Sequence, residues 1–126
     1  MQLRYLIDST ILIDHLNGIP QATDWLSGLE YGEAAISVIT RAEVLVLIHS
    51  EDEKEAVKLF LDDYLCLPID VPTADLASEL RRQWKWKLPD AFQAALADQH
   101  NLVLVTRDKK DFGRTSQPVV KIPYKL

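Results

Sequence analysis

Leu102-Val103-Leu104-Val105, followed at once by Thr106-Arg107-Asp108, is the stretch whose reading decides the fold. Four apolar residues in unbroken succession, with no polar alternation, describe a strand covered on both faces, the mark of a central strand in a parallel sheet. Parallel neighbours need long crossovers, usually helical, and the flanking sequence supplies them. Leu3–Ile7 is a short apolar run ending at Asp8, and Ile11, Leu12, Ile13 and Leu16 continue it as a helix closed by Asn17-Gly18. Pro20 opens a second helix through Trp25 and Leu26, and Ala34–Ile39 reads as a second strand after the turn at Gly28 to Gly32.

Downstream the alternation continues. Thr40 and Glu43 have the spacing of a capping box ahead of the apolar run Val44–Ile48, and Ser50 and Glu53 repeat it ahead of Ala56–Leu61. Tyr64–Ile69 supplies a third strand, which Pro68 places near a sheet edge. Leu76, Leu80 and Trp84 recur at i, i+4 and i+8, which predicts an amphipathic helix over 73–85 after the connector Asp70–Thr73. Pro89 suits the first position of another helix, running to Gln99, and Val119–Ile122 is expected as a last edge strand. Strands alternating with helices specify a layered α/β fold whose ligands gather at the carboxyl ends of the strands.

The 126 residues, 48% of them hydrophobic, suffice for one core that buries about two-thirds of the unfolded surface without staples. A lone cysteine, Cys66, forms no internal bridge, and with His15, His49 and His100 it makes no zinc-ligand spacing. A reducing compartment is therefore expected. The start MQLRYLIDST has no signal-peptide pattern, no run approaches the roughly 20 apolar residues of a membrane span, and repeats are absent. The expectation is a soluble cytoplasmic protein that contacts no membrane.

The net charge of −5 hides an asymmetry. Residues 1–80 hold 4 basic against 15 acidic side chains, a balance of −11, whereas residues 81–126 hold 10 against 4, a balance of +6. The only acids of the last third are Asp90, Asp98, Asp108 and Asp111, set among Arg81, Arg82, Lys85, Lys87, Arg107, Lys109, Lys110 and Arg114. Such a basic cluster attracts polyanions, and isolated carboxylates within it are candidates for a metal.

Placed on the α/β scaffold, four acids map to one sheet edge. Asp8 ends the first strand, Asp108 lies just past Leu102–Val105, Glu43 lies in the first turn of the helix after strand two, and Asp90 lies in the first turn after Pro89. Each has a structural reading by itself: Asp8 as an N-cap, Glu43 as the capping-box partner of Thr40, Asp90 as a helix-start acid, Asp108 and Asp111 as solvated turn residues. Asp98, two helical turns beyond Asp90, is too far along to share the site. Carboxylates brought together raise one another's pKa unless a cation joins them, and an all-oxygen site suits Mg²⁺ or Mn²⁺.

Four segments, Leu6–Asp14, Ser37–Glu43, Leu88–Ala97 and Leu104–Phe112, resemble in order the successive motifs of PIN-domain ribonucleases, most closely the VapC-type toxins of bacterial toxin–antitoxin pairs. The resemblance covers almost the whole chain. It implies a single domain over residues 1–126, a three-layer α/β/α PIN-like fold with a mostly parallel central sheet. It also implies a metal-dependent endoribonuclease with Asp8, Glu43, Asp90 and Asp108 as its acidic cluster, and with Asp8 and Asp90 as principal Mg²⁺ (or Mn²⁺) ligands. Asp111 would bind a second ion or orient water, and the family spreads the role of fourth acid over the positions of Asp108 and Asp111. The supporting hydroxyls would be Thr10, where Asn or Ser is more usual, and Thr106. Products with a 5′-phosphate and a 3′-hydroxyl, a homodimer and a cognate antitoxin covering the site are implied as well.

Charge placement makes Arg41, Arg82, Lys85, Lys87, Arg107, Lys109 and Arg114 candidates for RNA phosphate contact. Trp84 extends the apolar stripe of its helix and is expected in a core or interface, while Trp86 is divided between packing and stacking on bases. Two other readings remain at this stage. One is a PIN-like domain that binds RNA or protein without cleaving. The other is a receiver- or phosphatase-type α/β domain with Asp70 as phospho-acceptor, disfavoured because Ser9 and Thr10 stand where a second acid beside Asp8 is needed.

Overall fold

The computed structural model describes residues 2–108, 112 and 118–126. Asp111, Lys109, Lys110 and Arg114 lie outside the described residues. In chain order the described residues form β1 (Tyr5–Ile7), α1 (Ser9–Leu16), α2 (Pro20–Ser27), β2 (Ala34–Ser37), α3 (Val38–Leu45), α4 (Glu51–Leu61), β3 (Leu65–Leu67), α5 (Val71–Trp84), α6 (Leu88–Gln99), β4 (Val103–Val105) and β5 (Val120–Lys121). The strands make one sheet in the order β3-β2-β1-β4-β5, and every pair is parallel. Thus β3 and β5 take the edges that Pro68 and the chain order suggested. The centre belongs to β1, with β4 one place out.

Each strand divides its side chains between two cores by simple alternation. Leu6, Ala35, Leu67 and Leu104 pack with Ala77, Ala91, Ala94 and Ala95 of α5 and α6 on one face. Ile7, Ile36 and Val105 pack with Ile11, Leu12, Leu26, Val44, Val57 and Leu61 of α1 to α4 on the other. This gives three layers, α/β/α. Four buried alanines between Ala91 and Ala97 leave α6 little side-chain bulk against its neighbours, so its first turn is held close over the sheet edge.

The start of α3 differs from the sequence expectation. Val38 and Ile39 look like strand residues because both are β-branched, yet Ser37 ends β2 in an extended conformation and its hydroxyl accepts from the Thr40 amide at 3.0 Å. That cap starts the helix at Val38. Thr40 and Glu43 therefore form no capping box, and Glu43 lies in the second turn rather than the first. The second expected capping pair does form, Ser50 accepting from the Glu53 amide at 3.4 Å. Among the described residues no helix is long and apolar enough to cross a membrane.

Candidate active site

After β1 the chain adds β2 and β3 on one side, while β4 and β5 lie on the other. The carboxyl ends of β1 and β4 thus flank the topological switch point, the usual place for a ligand in such a sheet. Asp8 sits there, buried to 5% exposure. Its backbone occupies the N-cap position of α1, but its side chain makes no cap hydrogen bond. The carboxylate is engaged across the sheet edge instead. Oδ2 accepts from the hydroxyls of Thr10 at 3.0 Å and Thr106 at 2.8 Å. Oδ1 accepts from Nε2 of Gln93 at 3.2 Å.

Each of those hydroxyls also receives a backbone N–H from the loop after β4. Thr10 Oγ1 accepts from the Arg107 amide at 3.1 Å, and Thr106 Oγ1 accepts from the Asp108 amide at 3.0 Å. A hydroxyl has one proton and two lone pairs, so giving the proton to Asp8 leaves the oxygen to hold the loop. Asp108 is thereby anchored through Thr106, one hydroxyl away from Asp8.

Gln93 joins the remaining acid-bearing elements. Its Nε2 also donates to Thr40 Oγ1 at 2.6 Å, so one amide ties α6 to α3 and to the end of β1. Asp90 lies one turn before Gln93 and shares its face of α6. Glu43 lies one turn after Thr40 on α3. Burial and, secondarily, the nearby charge of Asp8 raise the Glu43 pKa above the usual carboxylate value, while a hydrogen bond from Ser9 partly offsets them. Oε1 of Gln93 is buried without a hydrogen-bond partner among the described residues.

This arrangement suits a hard cation. The donors available are carboxylate oxygens, fixed by hydroxyl and amide neighbours. Among the described residues no three His, Cys, Asp or Glu side chains stand close enough to form a metal-binding group by themselves. Mg²⁺ typically binds through one or two carboxylates, retained waters and substrate phosphate rather than in an all-protein cage, and the Asp8–Glu43 pair fits that mode.

The basic candidates separate into two groups. Arg82, Lys85 and Lys87 are exposed around the junction of α5 and α6, beside the turn that carries Asp90. Arg41 is ion-paired with Asp62 at 2.9 Å, and the Arg107 guanidinium is bound to Asp14. Trp86 is buried at 6% exposure against Phe112 and stacks on Trp84, so it packs. Asp70 accepts from the Thr73 amide at 3.0 Å and from its hydroxyl at 2.6 Å as the cap of α5. Thr73 also bonds Gln99 at the far end of α6, about 13 Å along the helix from Asp90. The receiver reading is disfavoured, because its acceptor caps α5 after the edge strand β3, two strands from β1 and Asp8.

The PIN domain family matches residues 5–117. The chain is a PIN-domain protein of the VapC type. It is 34% identical over 107 residues to Ribonuclease VapC10 of Mycobacterium tuberculosis, with 80% of each chain covered. A chain of a toxin-antitoxin complex from Klebsiella pneumoniae superposes with a TM-score of 0.89 at 34% identity, covering 97% of this chain and 99% of that one. FitAcB from Neisseria gonorrhoeae gives 0.80 at 25% identity, with 97% and 99% covered. The matched residues 5–117 span all four motifs quoted from the sequence.

Sequence reasoning assigned no role to Gln93, Asp14 or Tyr124. Gln93 had one legible signal, a lone polar residue among alanines one turn from Asp90. Asp14 and Tyr124 had none, because their partners are 93 and 110 residues away in the chain.

Proposed function

We propose that this PIN-domain chain is a divalent-metal-dependent endoribonuclease, the toxin of a toxin–antitoxin pair. It hydrolyses RNA phosphodiester bonds in the cytoplasm as a homodimer and is held inactive by a cognate antitoxin. The observation that carries the reading is the Asp8 carboxylate, buried at the switch point, held by three side-chain donors and making no cap hydrogen bond to the helix it precedes. Similarity to Ribonuclease VapC10 and to a chain of a toxin-antitoxin complex supports the activity and the partner.

Asp8 and Asp90 are the principal ligands of Mg²⁺ (or Mn²⁺), with Glu43, Asp108 and Asp111 completing the acidic cluster. A cation bound there supplies an acidified water and neutralises charge developing on the phosphate. Thr10 and Thr106 hold Asp8 in one orientation and anchor the loop that brings Asp108. Gln93 fixes the separation of α6, α3 and β1, and with it the spacing of Asp90, Glu43 and Asp8. Arg82, Lys85 and Lys87 attract and orient the RNA backbone beside Asp90. Hydrolysis in line leaves a 5′-phosphate and a 3′-hydroxyl.

The test is cleavage of a pool of cellular RNAs by purified protein, with the new ends mapped for their phosphates. Cleavage with 5′-phosphate ends in Mg²⁺, abolished by EDTA and by Asp8→Asn, is the expected outcome. Cleavage that survives Asp8→Asn contradicts the assignment.

A further inference from the structure

Asp14 lies on α1 six residues past Asp8 and is buried to 5% exposure. Three donors converge on its carboxylate. Arg107 Nε reaches Oδ2 at 2.6 Å, the second guanidinium nitrogen reaches Oδ1 at 3.1 Å, and the Tyr124 hydroxyl reaches Oδ2 at 2.8 Å. The two arginine bonds form a bidentate fork, the geometry that adds direction to charge. Tyr124 remains a proton donor, because burial and the Asp14 carboxylate push its pKa well up.

An ion pair whose arginine is 39% exposed is a weak source of stability. What the fork does specify is position. Arg107 immediately precedes Asp108, its backbone amide is held by Thr10, and the Asp108 amide is held by Thr106. The loop is thus tied to the β1 end through two hydroxyls and to α1 through the guanidinium. Tyr124 adds a tie from the segment after β5. The fork takes two of the five guanidinium N–H donors and sets its charge against the Asp14 carboxylate, which fixes where the group sits and weakens its pull on a phosphate.

We propose that Asp14, Arg107 and Tyr124 form a clamp that fixes the loop bearing Asp108, which makes Arg107 a positioning residue for the fourth acid and not an RNA contact. The inference rests on the nuclease reading of the site. It replaces the RNA-binding role that charge placement alone gave Arg107.

Arg107→Lys discriminates sharply, because lysine keeps the charge and loses the planar fork. Under the clamp, Arg107→Lys and Arg107→Met both lower kcat and Mn²⁺ affinity by about 10- to 100-fold, the range for groups that orient metal ligands. KM for RNA and the salt dependence of RNA binding in EDTA stay at wild-type values. Tyr124→Phe gives a smaller loss of the same kind, and its near-isosteric side chain guards against the case where Asp14→Asn fails to fold. Hydrogen exchange at the Asp108 amide, read by NMR without metal or RNA, is expected to speed up in Arg107→Lys and Tyr124→Phe.

A phosphate-contact role predicts the reverse. Arg107→Lys would then be near wild type, and Arg107→Met would raise KM and reduce the log–log salt slope by about 0.7. Either that pattern or unchanged exchange at Asp108 overturns the clamp. A wild-type protein that cleaves no RNA speaks against the nuclease reading, while the exchange measurement still decides the clamp.

Discussion

Asp8 and Asp70 occupy equivalent local positions and do opposite things. Each follows a strand, each is extended, and each is the N-cap of the next helix. Asp70 uses its carboxylate as a cap should, accepting from the Thr73 amide, and these hydrogen bonds hold its pKa below the ordinary value. Asp8 leaves its helix uncapped by any side chain and gives its oxygens to Thr10, Thr106 and Gln93, residues from three separate elements. A capping acid that makes no cap bond, at a switch point and beside a second carboxylate, is free to serve the metal site proposed for it. The same residue type at the far end of α6 is committed to folding.

The largest expected effect separates the two directly. Asp8→Asn should abolish measurable cleavage, a loss beyond the roughly 100-fold that follows removal of a group supporting a metal ligand. Asp70→Asn should leave kcat within twofold, about the scatter of such an assay and far below that loss. Steady-state cleavage of one mapped RNA checks both, and an active Asp8→Asn breaks the comparison.

Gln93→Leu comes next. It removes the donor to Asp8 and Thr40 together with the orphaned Oε1, so kcat should fall by about 10- to 100-fold. Thr40 keeps Ser37 as a partner, but the buried Oδ1 of Asp8 loses its Gln93 donor, so denaturant melts should also show a loss, of about 1–3 kcal/mol.

Glu43 sharpens the contrast through pH. Its folded pKa is raised above 4.5, so between that value and the folded one the native state binds more protons than the unfolded chain. Stability of the metal-free protein must then decline as pH rises through this window and level off above it. Glu43→Gln should remove the decline and stabilise the metal-free protein at pH 7 by about 0.5–2 kcal/mol, as active-site replacements often do. Urea midpoints across pH 4–8, read as ordinary working values on the linkage scale, measure it. Equal pH slopes in the two proteins would contradict the electrostatic account of the site.

The smallest effect belongs to the other aspartate. Asp70→Ala should cost about 1 kcal/mol of stability by loss of the cap, with cleavage intact. A kinetic defect here without a stability defect would reverse the roles assigned to the two ends of α6.

Much of this was legible in the chain. The unbroken apolar run at Leu102–Val105, the apolar run before Asp8 and Pro89 ahead of Asp90 are local signals, and local periodicity plus turn chemistry are enough to place the strands and helices that carry them. The error at α3 was also local, because Val38 and Ile39 favour a strand in isolation and yield to the Ser37 cap. What remained hidden is non-local. Gln93 meets Asp8 across 85 residues, and Arg107 meets Asp14 across 93. No spacing rule reaches that far, so charge placement assigned Arg107 to RNA when the fold pairs it internally.

Calorimetric titration of Mn²⁺ into the wild type, Asp8→Asn and Asp90→Asn tests the central claim most directly, because it needs no knowledge of which RNA is cut. One metal site shared by the ends of β1 and α6 predicts that each substitution weakens binding by at least about tenfold, the lower bound for disturbing a metal's surroundings. Asp90→Asn titrating like the wild type would mean that these acids do not share a metal, and the account of the site would be wrong.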